Sequence, residues 1–333
     1  MEKRKLVKSG LFSYTISLPK EWIERHKLDK GSTIYLDEQV DGLFVKAGES
    51  KKDIKESKDA VLKIDGMTKN SVIRNIVASY LTNKDTLTLL GKDLSKNIDE
   101  YKKNISDMLP GFEVIEETSE MLLIKNFINI NELIVPDLLR RADNITRSLI
   151  LDTYECFKTN DIKLGDAIRK RDKEVNRLAF LIFKCLNYIS EHPHQSRIHG
   201  VHPMTIAHIW ELNNYVERLA DEIKRIAPLI PSLKHGSEDR KKIEKLFSGV
   251  EKFYLETMTA LYKHDIEQAD KSADERHDIR KECNQYLEIS RSPVGRSIVG
   301  RLVYMTSFIN SISRLIRYVS FEKHMTEKGS AFN

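Results

Sequence analysis

The chain has 333 residues, 40% of them hydrophobic and 32% charged, with 55 Lys and Arg against 50 Asp and Glu for a net charge of +5. That apolar content supports packed cores and excludes wholesale disorder, and the length points to two or three domains. Fourteen Gly and eight Pro are few for a loop-rich all-β fold, and no run approaches the roughly 18 apolar residues of a membrane span.

Residues 4–48 read as short strands around one helix. Arg4-Lys5-Leu6-Val7 is extended and Gly10 breaks it. Ser13–Leu18 alternates and is β-branched, which suits a strand. Pro19 stops that strand and suits the first turn of a helix over Lys20–His26. Thr33–Leu36 and Gly42–Lys46 form a hairpin across Val40-Asp41-Gly42. Such strands bury little surface alone, so pairing with a second copy is expected. Residues 49–59 make a charged linker.

A small α+β module follows over 60–128, in the order β-α-β-α-β-β. Its strands are expected at Ala60–Asp65, Asp85–Leu90, Phe112–Glu117 and Met121–Phe127. Its helices are expected at Thr68–Leu81 and Leu94–Met108. From 131 to 325 the strand signals vanish. Helices are predicted over 133–158, 162–190 and 203–227, then over 237–264, 266–290 and 295–323. The layout repeats, and two three-helix units stacked end to end are expected.

Charge is concentrated at the amino end. Residues 1–30 carry eight basic and four acidic groups, nearly the whole excess, and residues 31–50 swing to −3. A basic end on a nearly neutral body is a footprint for polyanions, and a solubilising terminus has the same composition. The three cysteines, Cys156, Cys185 and Cys283, lie far apart with no CxxC. They form neither a disulfide framework nor a thiolate zinc site and suit a reducing cytosol. No apolar stretch follows the basic start, so no secretory signal is expected, and the protein is expected to be cytoplasmic.

Catalytic signatures are missing, so no enzyme is expected: there is no Walker A loop, no dinucleotide fingerprint and no nucleophile elbow. Five of the ten histidines, His192, His194, His199, His202 and His208, fall within 17 residues. They include no H-x-x-x-H pair set on one helix, so a solvated loop is expected and not a zinc site. Gly295-Arg296-Ser297-Ile298-Val299-Gly300-Arg301 is read as the first turn of the last helix, with Gly300 permitting close packing. Its other reading is a phosphate cradle at a helix start. Arg291, Arg296, Arg301, Arg314 and Arg317 are candidates for a basic stripe.

Two resemblances sharpen the reading. Lys5–Gly10, the Ser13–Trp22 segment containing SLPKEW, and the Leu28-Asp29-Lys30-Gly31-Ser32 turn together resemble AbrB/SpoVT-type swapped-hairpin domains. That resemblance implies a homodimer with interleaved hairpins over residues 1–48, binding DNA. Lys3, Arg4, Lys5, Lys8, Ser13, Tyr14 and Lys20 are its candidate contacts. Arg4 is the candidate for reading a guanine edge, and the lysines for phosphates.

The helical part resembles PhoU, a phosphate-uptake regulator. The carriers are Arg171–Asn176 on a second helix, Tyr215–Ile223 on a third, and Ala273–Asp278 at the corresponding place in the second repeat. The combination resembles archaeal AbrB–PhoU fusion regulators. The expected architecture is thus a small β swapped-hairpin domain, an α+β middle module and an all-α domain of two PhoU-like three-helix bundles.

Acidic side chains four apart share a helix face and can gather oxygens around a cation. The PhoU resemblance implies such metal sites, holding a divalent or trivalent ion such as Fe, Zn or Mg. Carried over by position, the first repeat offers Asp172, Asn176, Glu217 and Asp221, and the second offers Asp274 and Asp278. Asn176 is a weaker ligand than an acid. In the second repeat Asn310 and Arg314 stand where acids are expected on the third helix.

Two functions follow. The first is a DNA-binding transcriptional regulator, of phosphate uptake or homeostasis. The second is a metal-binding accessory protein that contacts a phosphate transporter or a signalling protein such as a kinase, without binding DNA.

Overall fold

The computed structural model describes residues 3–10, 12–39, 42–47 and 58–330. The chain divides into two compact units, Met1–Lys58 and Asp59–Asn333. Most of the predicted linker, and Val40 and Asp41 of the predicted turn, lie outside the described residues.

The first unit opens with two short antiparallel strands, β1 (Val7–Lys8) and β2 (Tyr14–Thr15), with Gly10 at φ +89° in the connection. Pairing is shorter than the predicted strands because β1 offers only two residues to pair with. Helix α1 (Lys20–Arg25) starts directly after Pro19. Strands β3 (Ile34–Gln39) and β4 (Gly42–Ala47) then pair in register from Ile34↔Ala47 to Gln39↔Gly42. None of the residues of this unit whose burial is described is buried.

The second unit begins with a four-stranded mixed sheet of order β5-β6-β8-β7. Its strands are β5 (Asp59–Lys63), β6 (Thr86–Leu90), β7 (Phe112–Glu117) and β8 (Met121–Asn126). β5 and β6 are parallel, as a strand–helix–strand crossover requires, and the other pairs are antiparallel. Helix α2 (Lys69–Leu81) is capped by Thr68, whose hydroxyl accepts from the Ser71 amide at 3.3 Å. Helix α3 is Ile98–Met108. Val72, Ile76 and Tyr80 of α2 and Tyr101 and Ile105 of α3 cover Leu87, Leu89, Phe112, Leu122 and Ile124 of the sheet in one core.

Six helices follow: α4 (Val135–Thr159), α5 (Ile162–Glu191), α6 (Ile206–Ile226), α7 (Glu238–Lys263), α8 (Ile266–Ile289) and α9 (Pro293–Ser330). The two halves share one joint. α4 ends on left-handed Asn160 and α7 on left-handed His264. Asp161 and Asp265 follow and cap the next helices, accepting from Lys163 at 2.8 Å and Gln268 at 2.9 Å.

The halves do not stack end to end. α6 and α9 run antiparallel side by side: His208 stacks on Tyr318, Tyr215 on Phe308, and Glu222 pairs with Arg301. α4 and α7 do likewise, with Tyr254 donating to Asp143 at 2.7 Å and Phe157 against Phe247 at 5.4 Å. All six helices contribute to a single core. The halves therefore bury apolar faces of their helices against each other.

Two buried cations tie these parts together. Lys184 on α5 is fully buried; its ammonium donates to the Tyr80 carbonyl at 2.9 Å and lies 4.3 Å from that ring. Asn83 donates to the Lys184 carbonyl at 3.3 Å and Asn187 to the Leu81 carbonyl at 3.0 Å, so the end of α2 is docked on α5. Arg240, in the first turn of α7 and 2% exposed, donates to the carbonyls of Cys156, Phe157 and Leu233 and to Asn160 Oδ1, all between 2.9 and 3.2 Å. It caps the carbonyl end of α4, where a cation is favoured.

Two expectations change here. A Cβ on Gly300 would meet nothing within 4 Å, whereas one on Gly295 would collide with the Tyr286 hydroxyl; the tight glycine is Gly295. The arginine stripe is dispersed: Arg296 turns back onto the Leu287 and Ser290 carbonyls, Arg301 pairs with Glu222, and Arg317 with Asp270. The arginine of the proposed phosphate cradle is therefore spent on capping α8.

Arg240→Ala should lower the unfolding free energy by about 3 kcal/mol, because it leaves several buried carbonyls of α4 unpaired. Arg240→Lys should recover only part, since an ammonium lacks the planar fork. Urea denaturation midpoints of the full chain check both.

Candidate functional site

Each of the seven predicted DNA-contact residues is exposed. Lys3, Arg4 and Lys5 precede β1; Lys8 faces Tyr14 across the β1–β2 pair. The Ser13 hydroxyl bonds the Ser9 carbonyl and closes the turn around Gly10. Lys20, at the start of α1, lies 3.6 Å from Glu24 in a solvent-exposed pair that contributes little. Around these cations stand apolar side chains in water: Leu6, Val7, Ile16 and Leu36 are 66%, 58%, 51% and 59% exposed, and Phe12 is 98% exposed.

In the second unit α5 and α6 bring Asp172, Asn176, Glu217 and Asp221 together. The acids are not on an exposed face. Asp172 is 1% exposed and Glu217 and Asp221 are half-buried. A lysine stands among them. Lys224, one turn after Asp221 on α6, donates to Asp172 across the helix pair and to Asp221 at 2.6 Å. Arg225 reaches Asp221 at 3.3 Å and Glu222 at 2.7 Å, and Arg301 of α9 donates to Glu222 at 2.8 Å. Asp172, Asp221 and Glu222 are thus threaded on a chain of cations that runs from the first half into the second.

Burial raises the Asp172 carboxyl above the usual range, although the Lys224 ammonium pulls the other way. Burial also works against the Lys224 charge, but its hydrogen bonds to Asp172 and Asp221 outweigh that and hold its pKa above the ordinary value. Glu217 is pushed up to about 7 by burial, then by the Asp221 and Asp172 charges.

A metal ion does not fit this arrangement. The ammonium of Lys224 occupies the position between Asp172 and Asp221 that a cation would need. Among the described residues no group of three or more His, Cys, Asp and Glu side chains is placed to hold an ion. In the second half Asp274 and Asp278 are exposed on α8. Arg276, on a different side of the same helix, has its pKa lowered first by burial and then by the Arg280 and Arg314 charges. Asn310 is nearly buried on α9 and brings no charge.

The histidine segment is not a solvated loop throughout. His199 is fully buried and its Nδ1 lies 2.8 Å from the Leu133 carbonyl, while its own carbonyl accepts from Val135 at the start of α4. His202 accepts from the Met204 amide at 3.3 Å, and His192 stacks on Tyr188. These rings position backbone and do not gather into a metal site.

Sequence comparison gives two matches. Residues 139–230 match the PhoU domain family, and residues 13–53 match the family described as antidote-toxin recognition MazE, bacterial antitoxin. The chain joins an AbrB/MazE-like amino end to a PhoU domain. The PhoU match covers α5 and α6 and most of α4, where the acidic cluster lies. No curated protein matches the chain. The crystal structure of PhoU from Pseudomonas aeruginosa is similar at 16% identity over 59% of this chain and 96% of that one, with a TM-score of 0.37. Among the described residues no helix is long and apolar enough to cross a membrane.

Sequence reasoning missed Lys224 and Arg225, and placed Arg301 in a basic stripe instead of on Glu222. The run Asp221-Glu222-Ile223-Lys224-Arg225 places Lys224 three after Asp221 and signals that pair. Nothing local signals Asp172, 52 positions away.

Glu217 yields a pH prediction. Its folded pKa of about 7 lies above the ordinary 4.5, so the folded state holds the extra proton between those values. Stability from this group is complete below the lower value and is lost as pH rises through about 7. Glu217→Gln should therefore stabilise the protein above about pH 8 by about 1–3 kcal/mol and leave it unchanged near pH 4. Denaturant melts of both proteins across that range check it.

Proposed function

We propose that the protein is a DNA-binding transcriptional regulator, not an enzyme, that dimerises through its first unit and takes a signal connected with phosphate homeostasis through its PhoU domain. The observation that carries this reading is the first unit itself. It is rich in exposed cations and in exposed Leu6, Val7, Phe12, Ile16 and Leu36, with no buried residue among those whose burial is described. A unit with apolar side chains and no core needs a partner surface, and a second copy supplies one of matching pattern. Leu18, Trp22, Ile34 and Val45, half-buried in one copy, would complete that core.

In a two-fold dimer Lys3, Arg4, Lys5, Lys8 and Lys20 appear twice. Phosphate contacts by the lysines set affinity and register, and Arg4 supplies the planar fork that a guanine edge accepts. The match of residues 13–53 to an antitoxin family and the net charge of the amino end both support this role. The PhoU domain, whose helices leave Trp210 and Tyr304 more than half exposed, is the part proposed to meet a protein partner. The scattered, buried cysteines suit a cytoplasmic protein.

Sedimentation should find no folded monomer at micromolar concentration. Duplex DNA should bind with a steep salt dependence, since each neutralised phosphate releases counterions. Arg4→Ala with Lys8→Ala should weaken binding and flatten the slope of log K against log salt by up to about four per dimer, about one per lost charge. The fold should persist, because exposed charges contribute little to it. A dimer that binds no duplex at low salt would favour the accessory-protein reading.

A further inference from the structure

The acidic cluster of the first half carries its own cation. Asp172 Oδ2 and Asp221 Oδ1, on neighbouring helices, converge on one nitrogen, Lys224 Nζ. The arrangement is built and not incidental. Asp172 is buried, its Oδ2 also accepts from Asn176 at 3.4 Å, and Lys224 is two-thirds covered. Arg225 closes the outer side by taking the other oxygen of Asp221. Two carboxylates that would ligate an ion are thus neutralised by two tethered cations before any ion arrives. A divalent ion entering here would be repelled by the ammonium at close range in a partly desolvated site, where such repulsion is weakly screened.

A second observation shows what the cluster would do without the lysine. Asp172 Oδ1 and Asn176 Oδ1 are buried and accept no hydrogen bond. Buried oxygens without donors are uncommon and costly. Glu217 and Asp221 on α6 carry further carboxylate oxygens, the donor chemistry that hard divalent ions prefer.

We propose that Lys224 is the resident cation of this cluster, so that the PhoU domain of this protein holds α5, α6 and α9 together without a metal ion. The lysine replaces a diffusible ion with a covalently tethered one. Its link through Arg225, Glu222 and Arg301 extends the same clamp to the second half. The domain's stability and its coupling between halves are then independent of metal supply.

The test uses the full chain with Mn²⁺ alone as probe, read by calorimetric titration and by thermal melting. Wild-type protein should neither bind Mn²⁺ nor change its melting temperature on adding the ion or a chelator. Lys224→Ala should melt lower in chelator, bind Mn²⁺ where the wild type does not, and regain melting temperature with the ion. Lys224→Arg, which keeps the charge, should remain blind to Mn²⁺. Lys224→Gln, which removes the charge but keeps most of the length and an N–H donor, should gain binding if the alanine protein does not fold. Mn²⁺ binding by the wild type that is lost in Asp172→Asn would overturn the proposal. So would folded Lys224→Ala or Lys224→Gln protein that stays blind to the ion.

Discussion

A charge that leaves water must find partners where it is buried, and the helical unit is organised around three cations that do so. Arg240 meets the carbonyl end of α4, Lys184 meets the end of α2, and Lys224 meets two carboxylates. Removing a partner from a buried charge is far costlier than losing a surface pair, so each cation fixes the elements it joins. Arg240 binds the second half to the first, Lys184 docks the sheet module on α5, and Lys224 pins α6 to α5. The apolar core supplies most of the driving force, but it is non-directional. The cations specify which helix ends meet.

The first unit shows the opposite condition. Its strands pair and its helix forms, yet none of its residues of described burial is fully buried. Backbone hydrogen bonding is satisfied locally while the apolar side chains are not, and two short hairpins offer too little surface to cover them. The same short segments carry the exposed cations, so the cationic positions and the uncovered apolar positions alternate along one stretch of chain.

In the first half the acidic residues stand beside cations that the motif does not include. Three acids in the right places on α5 and α6 read as a metal site in sequence. The structure adds Lys224 and Arg225, which convert the motif into an internal salt-bridge network. In the second half the acids on α8 face solvent, and α9 contributes Asn310 and Arg314. Motif residues alone therefore do not define a ligand site; the charge of the groups between them decides it.

Periodicity and local chemistry determined most elements. Phe112–Glu117 forms the strand its alternation implies, Thr68 caps α2, and the long helices follow their apolar spacing. Asn160-Asp161-Ile162 and His264-Asp265-Ile266 mark the same joint in both halves, a repeat legible in sequence that the layout argument passed over. The basic amino end and the absence of a core there were also sequence properties, since both depend only on composition over short segments. Tertiary structure alone decided that the halves lie side by side, that Gly295 and not Gly300 is the crowded glycine, that His199 is buried, and that Lys224 reaches Asp172. These depend on which helix faces meet across tens of residues, and a pattern of period 3.6 fixes a face without naming its neighbour.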